Sequence, residues 1–125
     1  MTGSADLAPM LEYETVQNWL EGLRAHWGGD PETDDPDRLP TLEEFCRSVA
    51  VEPDTIIKEC TRIDKAGDRR ISVKGRRKYS ALIDEFQAQS EGSRLMRAKR
   101  GNTVRSFLIH NGILLSGGAQ LAGEE

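Results

Sequence analysis

The sequence has few aromatic residues, only two cysteines and no long apolar run. A helix needs about 20 consecutive apolar residues to span a bilayer, and no stretch of this chain approaches that length. The opening residues, MTGSADLAPM, include no basic residue and no apolar block, which argues against a secretory signal peptide. We therefore expect a cytoplasmic protein without a membrane partner.

The cysteines and histidines do not form a ligand pattern. Neither Cys46 nor Cys60 has a second ligand at the spacing of a metal site. We interpret both as reduced thiols near a helical core, with a disulfide between them as the less favoured alternative. His26 and His110 lie far apart in the sequence, and we interpret them as surface or helix-cap residues.

Motifs of catalysis and of cofactor binding are missing from the sequence. There is no recognisable Ser-His-Asp or Cys-His arrangement and no phosphate-binding GxxxxGK[ST] loop. The segment DKAGDRRISVKG resembles a calcium loop only loosely, because Arg69 replaces the central glycine and Gly75 replaces the closing glutamate. We predict no enzymatic activity for this chain, no catalytic residue, no metal site and no cofactor.

Apolar residues recur at helical spacing through most of the chain, and no stretch alternates as a strand would. We therefore predict an all-α fold, a small bundle of four to five helices. The helices are expected at about 10–25, from Thr41, from Pro53, at about 72–89, and from about 90 or 93 to Asn111-Gly112, with an acidic loop at 28–40. Thr41 and Glu44 predict a capping box, and Asn111-Gly112 predicts a left-handed helix end.

Several residues are expected to face the helical core, and Leu95 is an additional candidate. These residues are Leu11, Val16, Trp19, Leu20, Leu23, Phe45, Val49, Ile56, Ile57, Cys60, Ile63, Tyr79, Leu82, Ile83, Phe86, Met96, Val104, Phe107 and Leu108.

The net charge of −4 conceals a strong asymmetry along the chain. Residues 1–55 contain 13 acidic and 3 basic side chains, whereas residues 56–111 contain 14 basic and 6 acidic ones. A polyanion responds to the local field rather than to the total charge. The basic half therefore indicates nucleic-acid binding, while the alternative interpretation is a set of solvated helix faces.

The basic residues concentrate on two successive predicted helices. Lys74, Arg77 and Lys78 share one face of the fourth helix, opposite its apolar face. Arg69 and Arg70 are expected at its N-terminus, where cations are unfavourable unless an anion is bound. Basic residues also crowd the first half of the fifth helix, where Asn102 and Thr103 could bond to bases or phosphates. The predicted DNA-binding residues are Arg69, Arg70, Lys74, Arg77, Lys78, Arg94, Arg97, Lys99, Arg100, Asn102 and Thr103.

Three stretches, TVQNWLEGL, RRKYSALIDEFQAQ and TVRSFLIHNGI, resemble the N-terminal core-binding domain of tyrosine recombinases, the phage-integrase superfamily. The resemblance runs from about Glu14 to Ile113 and is best in the last stretch. It implies a SAM-like helical domain at 10–112, after a flexible N-terminus at 1–9 and before a linker at 113–125 toward an absent catalytic domain. In that family the two domains clamp duplex DNA, and a catalytic tyrosine forms the covalent link. Tyr13 and Tyr79 match no catalytic motif of the family.

The sequence thus leads to two hypotheses. The first is a core-binding domain of a site-specific recombinase, with double-stranded DNA and other recombinase protomers as partners. On this hypothesis the acidic loop, which departs from the family's pattern, could contact a neighbouring protomer. The second is a helical protein–protein interaction domain whose oppositely charged halves pair within or between copies.

Overall fold

A computed structural model of the protein describes residues 7–114. Most of the predicted flexible N-terminus and most of the predicted linker therefore lie outside the described residues. A single 3-10 turn at Met10–Glu12 comes before the first helix. The helices and strands that follow are α1 (Glu14–Trp27), α2 (Pro31–Asp34), α3 (Arg38–Val49), α4 (Pro53–Glu59), β1 (Thr61–Ile63), β2 (Arg69–Ile71), α5 (Val73–Gln89) and α6 (Arg94–His110).

The expected small helical bundle is confirmed, with one addition. The segment DKAGDRR, predicted to be a break between helices, lies in a two-stranded antiparallel hairpin. Each strand is only three residues long, which is too short for an alternating pattern to stand out in the sequence. Among the described helices, none is long and apolar enough to cross a membrane.

Aromatic side chains occupy the centre of the bundle, where α6 packs against α1, α3 and α5. Trp19 and Phe107 meet edge to face with ring centroids 5.6 Å apart, and Phe45 meets Phe86 in the same way at 5.3 Å. The indole N–H of Trp19 donates to Ser106 Oγ at 3.0 Å, so its polar atom is satisfied inside the core. The few aromatic residues of the sequence are thus used mainly to join the helices.

Side chains from one helix satisfy the ends of another. Asp54, in the first turn of α4, accepts a hydrogen bond from the backbone N–H of Thr15 at 3.0 Å, at the start of α1. Asn111, just after α6, donates to the carbonyl oxygen of Thr15 at 3.0 Å. These bonds join the start of α1 to α4 and to the end of α6.

The predicted left-handed end of the last helix is confirmed. Gly112 has a φ of +91°, and its N–H donates to Ile109 O while the Ile113 N–H donates to Leu108 O. This pair of bonds is a Schellman motif. Ile113, the residue after the glycine, is 1% exposed, so the chain reversal also completes the core.

The predicted start of the second helix is wrong. Helix α3 begins at Arg38, and Thr41 is a buried residue inside it, so the Thr41–Glu44 capping box does not form. Pro40 did not delay the helix because it lies in the first turn, where backbone N–H groups have no intrahelical acceptor. The acidic loop predicted at 28–40 also contains the short helix α2, which Pro31 starts and the Asp30 side chain caps.

Four apolar residues expected in the core are exposed instead. Ile63 is 67% exposed because α4 ends at Glu59 and Ile63 lies on a strand. Leu95 and Met96 are 80% and 59% exposed because the first turn of α6 extends beyond the core, and the first buried residue of this helix is Gly101. Leu11, in the 3-10 turn, is 44% exposed. Val49 and Leu82 are partly buried, and the other predicted core residues are buried.

The start of α5 packs directly on the end of α4 at Gly75. A Cβ atom at this position would overlap the backbone carbonyl oxygen of Glu59 and come within 2.7 Å of its carbonyl carbon. Backbone atoms cannot rotate away as a side chain can. Glycine is therefore required by the close approach of the two helices, although it is not favoured inside a helix.

We predict that Gly75→Ala destabilises the protein by about 3 kcal/mol, because the added methyl group overpacks a backbone contact. The matched control is Gly22→Ala, also inside a helix, where a Cβ would meet only the side chain of His110, which can move. Urea unfolding followed by circular dichroism measures both free energies. Gly22→Ala should lose less, and an equal loss in the two variants would contradict the assignment of the tight backbone contact to Gly75.

Candidate nucleic-acid interface

The strongest concentration of positive charge lies in residues 58–78, which we call the basic segment. It comprises the end of α4, the hairpin and the first turns of α5. It contains nine Lys or Arg residues and three Asp or Glu residues. Because the elements follow one another with very short connections, these charges are held close together along the fold.

The hairpin has a turn that is closed by its own side chain. Asp64 Oδ1 accepts hydrogen bonds from the backbone N–H groups of Ala66 and Asp68, both at 2.9 Å. The Asp64 N–H donates to Asp68 O at 2.9 Å, and Gly67 adopts a φ of +89°. Glycine takes this conformation without a steric penalty, and aspartate often closes such turns.

The strand register places two arginines directly opposite each other. Arg62 pairs with Arg70, while Thr61 pairs with Ile71 and Ile63 with Arg69. Arg70 Nε lies 2.9 Å from Asp64 Oδ2, and this hydrogen bond is the main cause of the lowered pKa of Asp64. Arg62 has no acidic partner within residues 7–114.

Arg69 and Arg70 were expected at a helix N-terminus, and this placement is wrong. Both lie on β2, and Ser72, between the strand and α5, is the helix cap that accepts from the Gly75 N–H. Both arginines line a cleft beside Asn111, at the end of α6, and Arg69 also lines a second cleft there. The two arginines belong to opposite faces of the hairpin, because neighbouring residues on a strand point to opposite sides.

The first turns of α5 carry exposed cations above a buried contact. Lys74 and Arg77 are exposed and make no ion pair within the described part of the chain. Lys78 lies 3.0 Å from Glu59 Oε1, which also accepts from the Tyr79 hydroxyl at 2.7 Å. These two hydrogen bonds, the one from Tyr79 being the larger effect, lower the pKa of Glu59.

The basic residues of α6 differ from Lys74 and Arg77 of α5, because three of them form ion pairs with carboxylates. Lys99 lies 3.6 Å from Asp35, Arg100 lies 2.7 Å from Glu44, and Arg105 lies 2.7 Å from Asp84. Arg100 also stacks on the Phe86 ring and donates to Ser90 Oγ. Much of the positive charge on this helix therefore joins it to its neighbours.

The remaining predicted site residues of α6 vary in their surroundings. Arg97 donates to Gly92 O, and Arg94 is exposed without an ion pair in the described residues. The Thr103 hydroxyl donates to Lys99 O within the helix, and Asn102 Oδ1 accepts from Arg105. Asn102 remains exposed.

Sequence reasoning missed Arg62 and Lys65, which are exposed on the hairpin. Seven cations of the basic segment have no carboxylate partner among residues 7–114: Lys58, Arg62, Lys65, Arg69, Lys74, Arg76 and Arg77. The tripeptide Lys-Ala-Gly between TRID and DRRI could have indicated the hairpin, since a short connection that contains glycine is typical of a turn between strands.

The two cysteines are buried and unbonded, as predicted for reduced thiols. Burial is the main cause that raises the pKa of Cys46 to about 12 and that of Cys60 to about 11. Thiols with raised pKa values are poor nucleophiles. Within the described residues, no group of three or more His, Cys, Asp or Glu side chains is placed to hold a metal ion.

Comparison of the chain with protein-family models, with curated proteins and with solved structures finds no match. The function is therefore inferred from the residues and their geometry.

We predict that Glu59 stabilises the fold in a pH-dependent way. Its pKa is lower in the folded protein than the value of about 4.3 for an unfolded chain. The contribution of Glu59 to the free energy of unfolding is therefore complete above pH 4.3. It decreases as the pH falls through the pKa that Glu59 has in the folded protein. The stability difference between the wild type and Glu59→Gln should shrink between pH 6 and pH 3 in urea unfolding experiments.

The control for this experiment is Glu85→Gln, which changes an exposed carboxylate on the same helix as Tyr79. Glu85 makes no ion pair within residues 7–114, so this substitution should change the free energy of unfolding little. A stability difference for Glu59→Gln that does not change with pH would show that the contacts from Tyr79 and Lys78 do not depend on the charge of Glu59.

Proposed function

We propose that this chain is a module that binds duplex DNA through the basic segment. The observation that carries the proposal is the contrast between two groups of cations. Those of the basic segment largely lack acidic partners among the described residues, whereas Lys99, Arg100 and Arg105 of α6 have them. A cation without a partner can approach a phosphate without first giving up an ion pair.

The energetics favour this surface over the α6 face as the site of phosphate contacts. Each cation that neutralises a phosphate releases condensed counterions, which supplies most of the sequence-independent affinity. Arg100 is only 27% exposed at its side chain and is held by Glu44, Ser90 and the Phe86 ring. Moving it to a phosphate would expose the ring and leave Glu44 without its partner. Lys74 and Arg77 incur no such cost.

We further propose that the module is the core-binding domain of a tyrosine recombinase. The support is the resemblance of the three stretches described above, together with a helical bundle that ends in the Asn111-Gly112 turn. A core-binding domain holds DNA as one half of a clamp and does not cut it. The other half would be a catalytic domain beyond this chain, and other protomers would assemble on the same DNA.

We predict that the chain binds a generic ~25-bp duplex and that log K falls linearly with log salt, with a slope of about −0.9 for each phosphate contacted. Fluorescence anisotropy at several salt concentrations measures both quantities. The double variant Lys74→Gln/Arg77→Gln should lose affinity about tenfold and flatten the slope by about two.

The matched control is Lys99→Gln/Arg105→Gln, which removes the same charge from two α6 cations that have carboxylate partners. Its affinity should stay within about threefold of the wild type. An equal loss in both double variants would contradict the assignment to the basic segment. No binding at low salt, with an unchanged circular dichroism spectrum, would contradict DNA binding altogether. Salt-sensitive self-association in that case would support the protein-interaction hypothesis.

A further inference from the structure

The two faces of the hairpin have different surroundings. Ile71 packs against the core, and Thr61 is paired with it, so this face is turned toward the body of the protein at the base of the hairpin. Nearer the turn, the same face carries Ile63 and Arg69, which are exposed. Arg62 and Arg70 share the other face, because they are paired across the strands. Both are exposed. One face of the hairpin therefore carries an exposed arginine pair.

Nothing in the fold requires this pair. Like charges directly opposite each other on a hairpin destabilise it. Asp64 relieves the repulsion only in part, because its Oδ2 contacts Arg70 Nε and no carboxylate within residues 7–114 contacts Arg62. Arg70 also keeps its terminal nitrogens outside that ion pair. Two exposed guanidinium groups thus keep N–H donors that the described residues do not use.

The hairpin is held firmly at its base and at its turn. At the base, the Ser72 N–H donates to the carbonyl oxygen of Cys60 at 2.7 Å, and Cys60 is fully buried. At the turn, Asp64 accepts from two backbone N–H groups. A projecting element with both ends fixed loses little conformational freedom on binding, which favours affinity.

We infer that the hairpin enters the major groove of duplex DNA, with Arg62 and Arg70 directed at base edges. The inference rests on the proposed DNA-binding function. The major groove, about 12 Å wide, admits a two-stranded ribbon and presents a distinct pattern of donors and acceptors for each base pair, whereas the minor groove, about 6 Å wide, distinguishes mainly A·T from G·C. Arginine recognises the O6 and N7 atoms of guanine with two parallel hydrogen bonds, so the base that this pair selects is guanine.

The position of α5 agrees with this arrangement. Only Ser72 separates β2 from α5, so the first turn of α5 lies next to the base of the hairpin. With the hairpin in the groove, Lys74 and Arg77 would be placed for the phosphates at its edge. Phosphate contacts set the register of a protein on DNA, and base contacts set its sequence preference. In the proposed complex, α5 would therefore set the register on the DNA, and the adjacent hairpin would set the sequence preference.

The test uses two duplexes of the same sequence, in one of which every cytosine is replaced by glucosylated 5-hydroxymethylcytosine. The glucose fills the major groove and leaves the phosphates unchanged. We expect the chain to bind the unmodified duplex at least tenfold more tightly by fluorescence anisotropy. Equal binding of the two would overturn the major-groove inference and leave the proposed function standing, whereas no binding of the unmodified duplex would refute both.

A second measurement examines the arginine pair itself. Arg62→Lys/Arg70→Lys keeps the charge but removes the planar fork that matches guanine. The wild type should prefer a G·C-rich duplex over an A·T-only duplex, and this ratio should fall toward one in the variant while the salt slope is retained. The matched control, Arg94→Lys/Arg97→Lys on α6, should keep the wild-type ratio. A ratio unchanged in the first variant would refute base contact by the pair.

Discussion

The backbone contact between α4 and α5 at Gly75 is the constraint on which the proposed site depends. It brings the first turn of α5 against Glu59, so that Tyr79 and Lys78 reach the Glu59 carboxylate. The chain between the two helices must then leave and return to nearly the same place. A hairpin lets a short segment start and end close together. Its base is joined by the hydrogen bond from the Ser72 N–H to the Cys60 carbonyl oxygen. The strands of the hairpin start and end at this contact, and Arg62 and Arg70 are exposed on it.

The ion pairs divide the positive charge of the chain into two parts with different roles. On α6, Lys99 and Arg100 pair with Asp35 and Glu44, which come from the acidic half of the sequence. Individual surface ion pairs contribute little, about 0–1 kcal/mol each. Their importance here is that they occupy charges that a polyanion would otherwise attract. The cations of the basic segment remain accessible, and this difference directs the proposed DNA contact to the hairpin and α5.

Helices α1, α5 and α6 could be predicted from the sequence because their apolar residues recur with the helical period over many turns. The Asn111-Gly112 end was predictable too, since a glycine after the last turn has a local conformational reason. The start of α3 was not, because Pro40 reads as a helix breaker although the first turn tolerates it. The hairpin was missed because three-residue strands carry almost no periodic pattern. Of the candidate site residues, the exposed cations of α5 were found, whereas Arg62 and Lys65 were overlooked together with the hairpin.

The sequence by itself determines the helical class of the fold and the location of the basic residues in the second half of the chain. Each of these follows from composition or from local periodicity. Only the tertiary structure decides which cations are accessible, because an ion pair such as Arg105 with Asp84 joins residues from different helices. It also decides that Arg62 and Arg70 stand side by side, since strand register is set by the turn and by the packing of Ile71. Charge is a property of residues, but its availability depends on which residues the fold brings together.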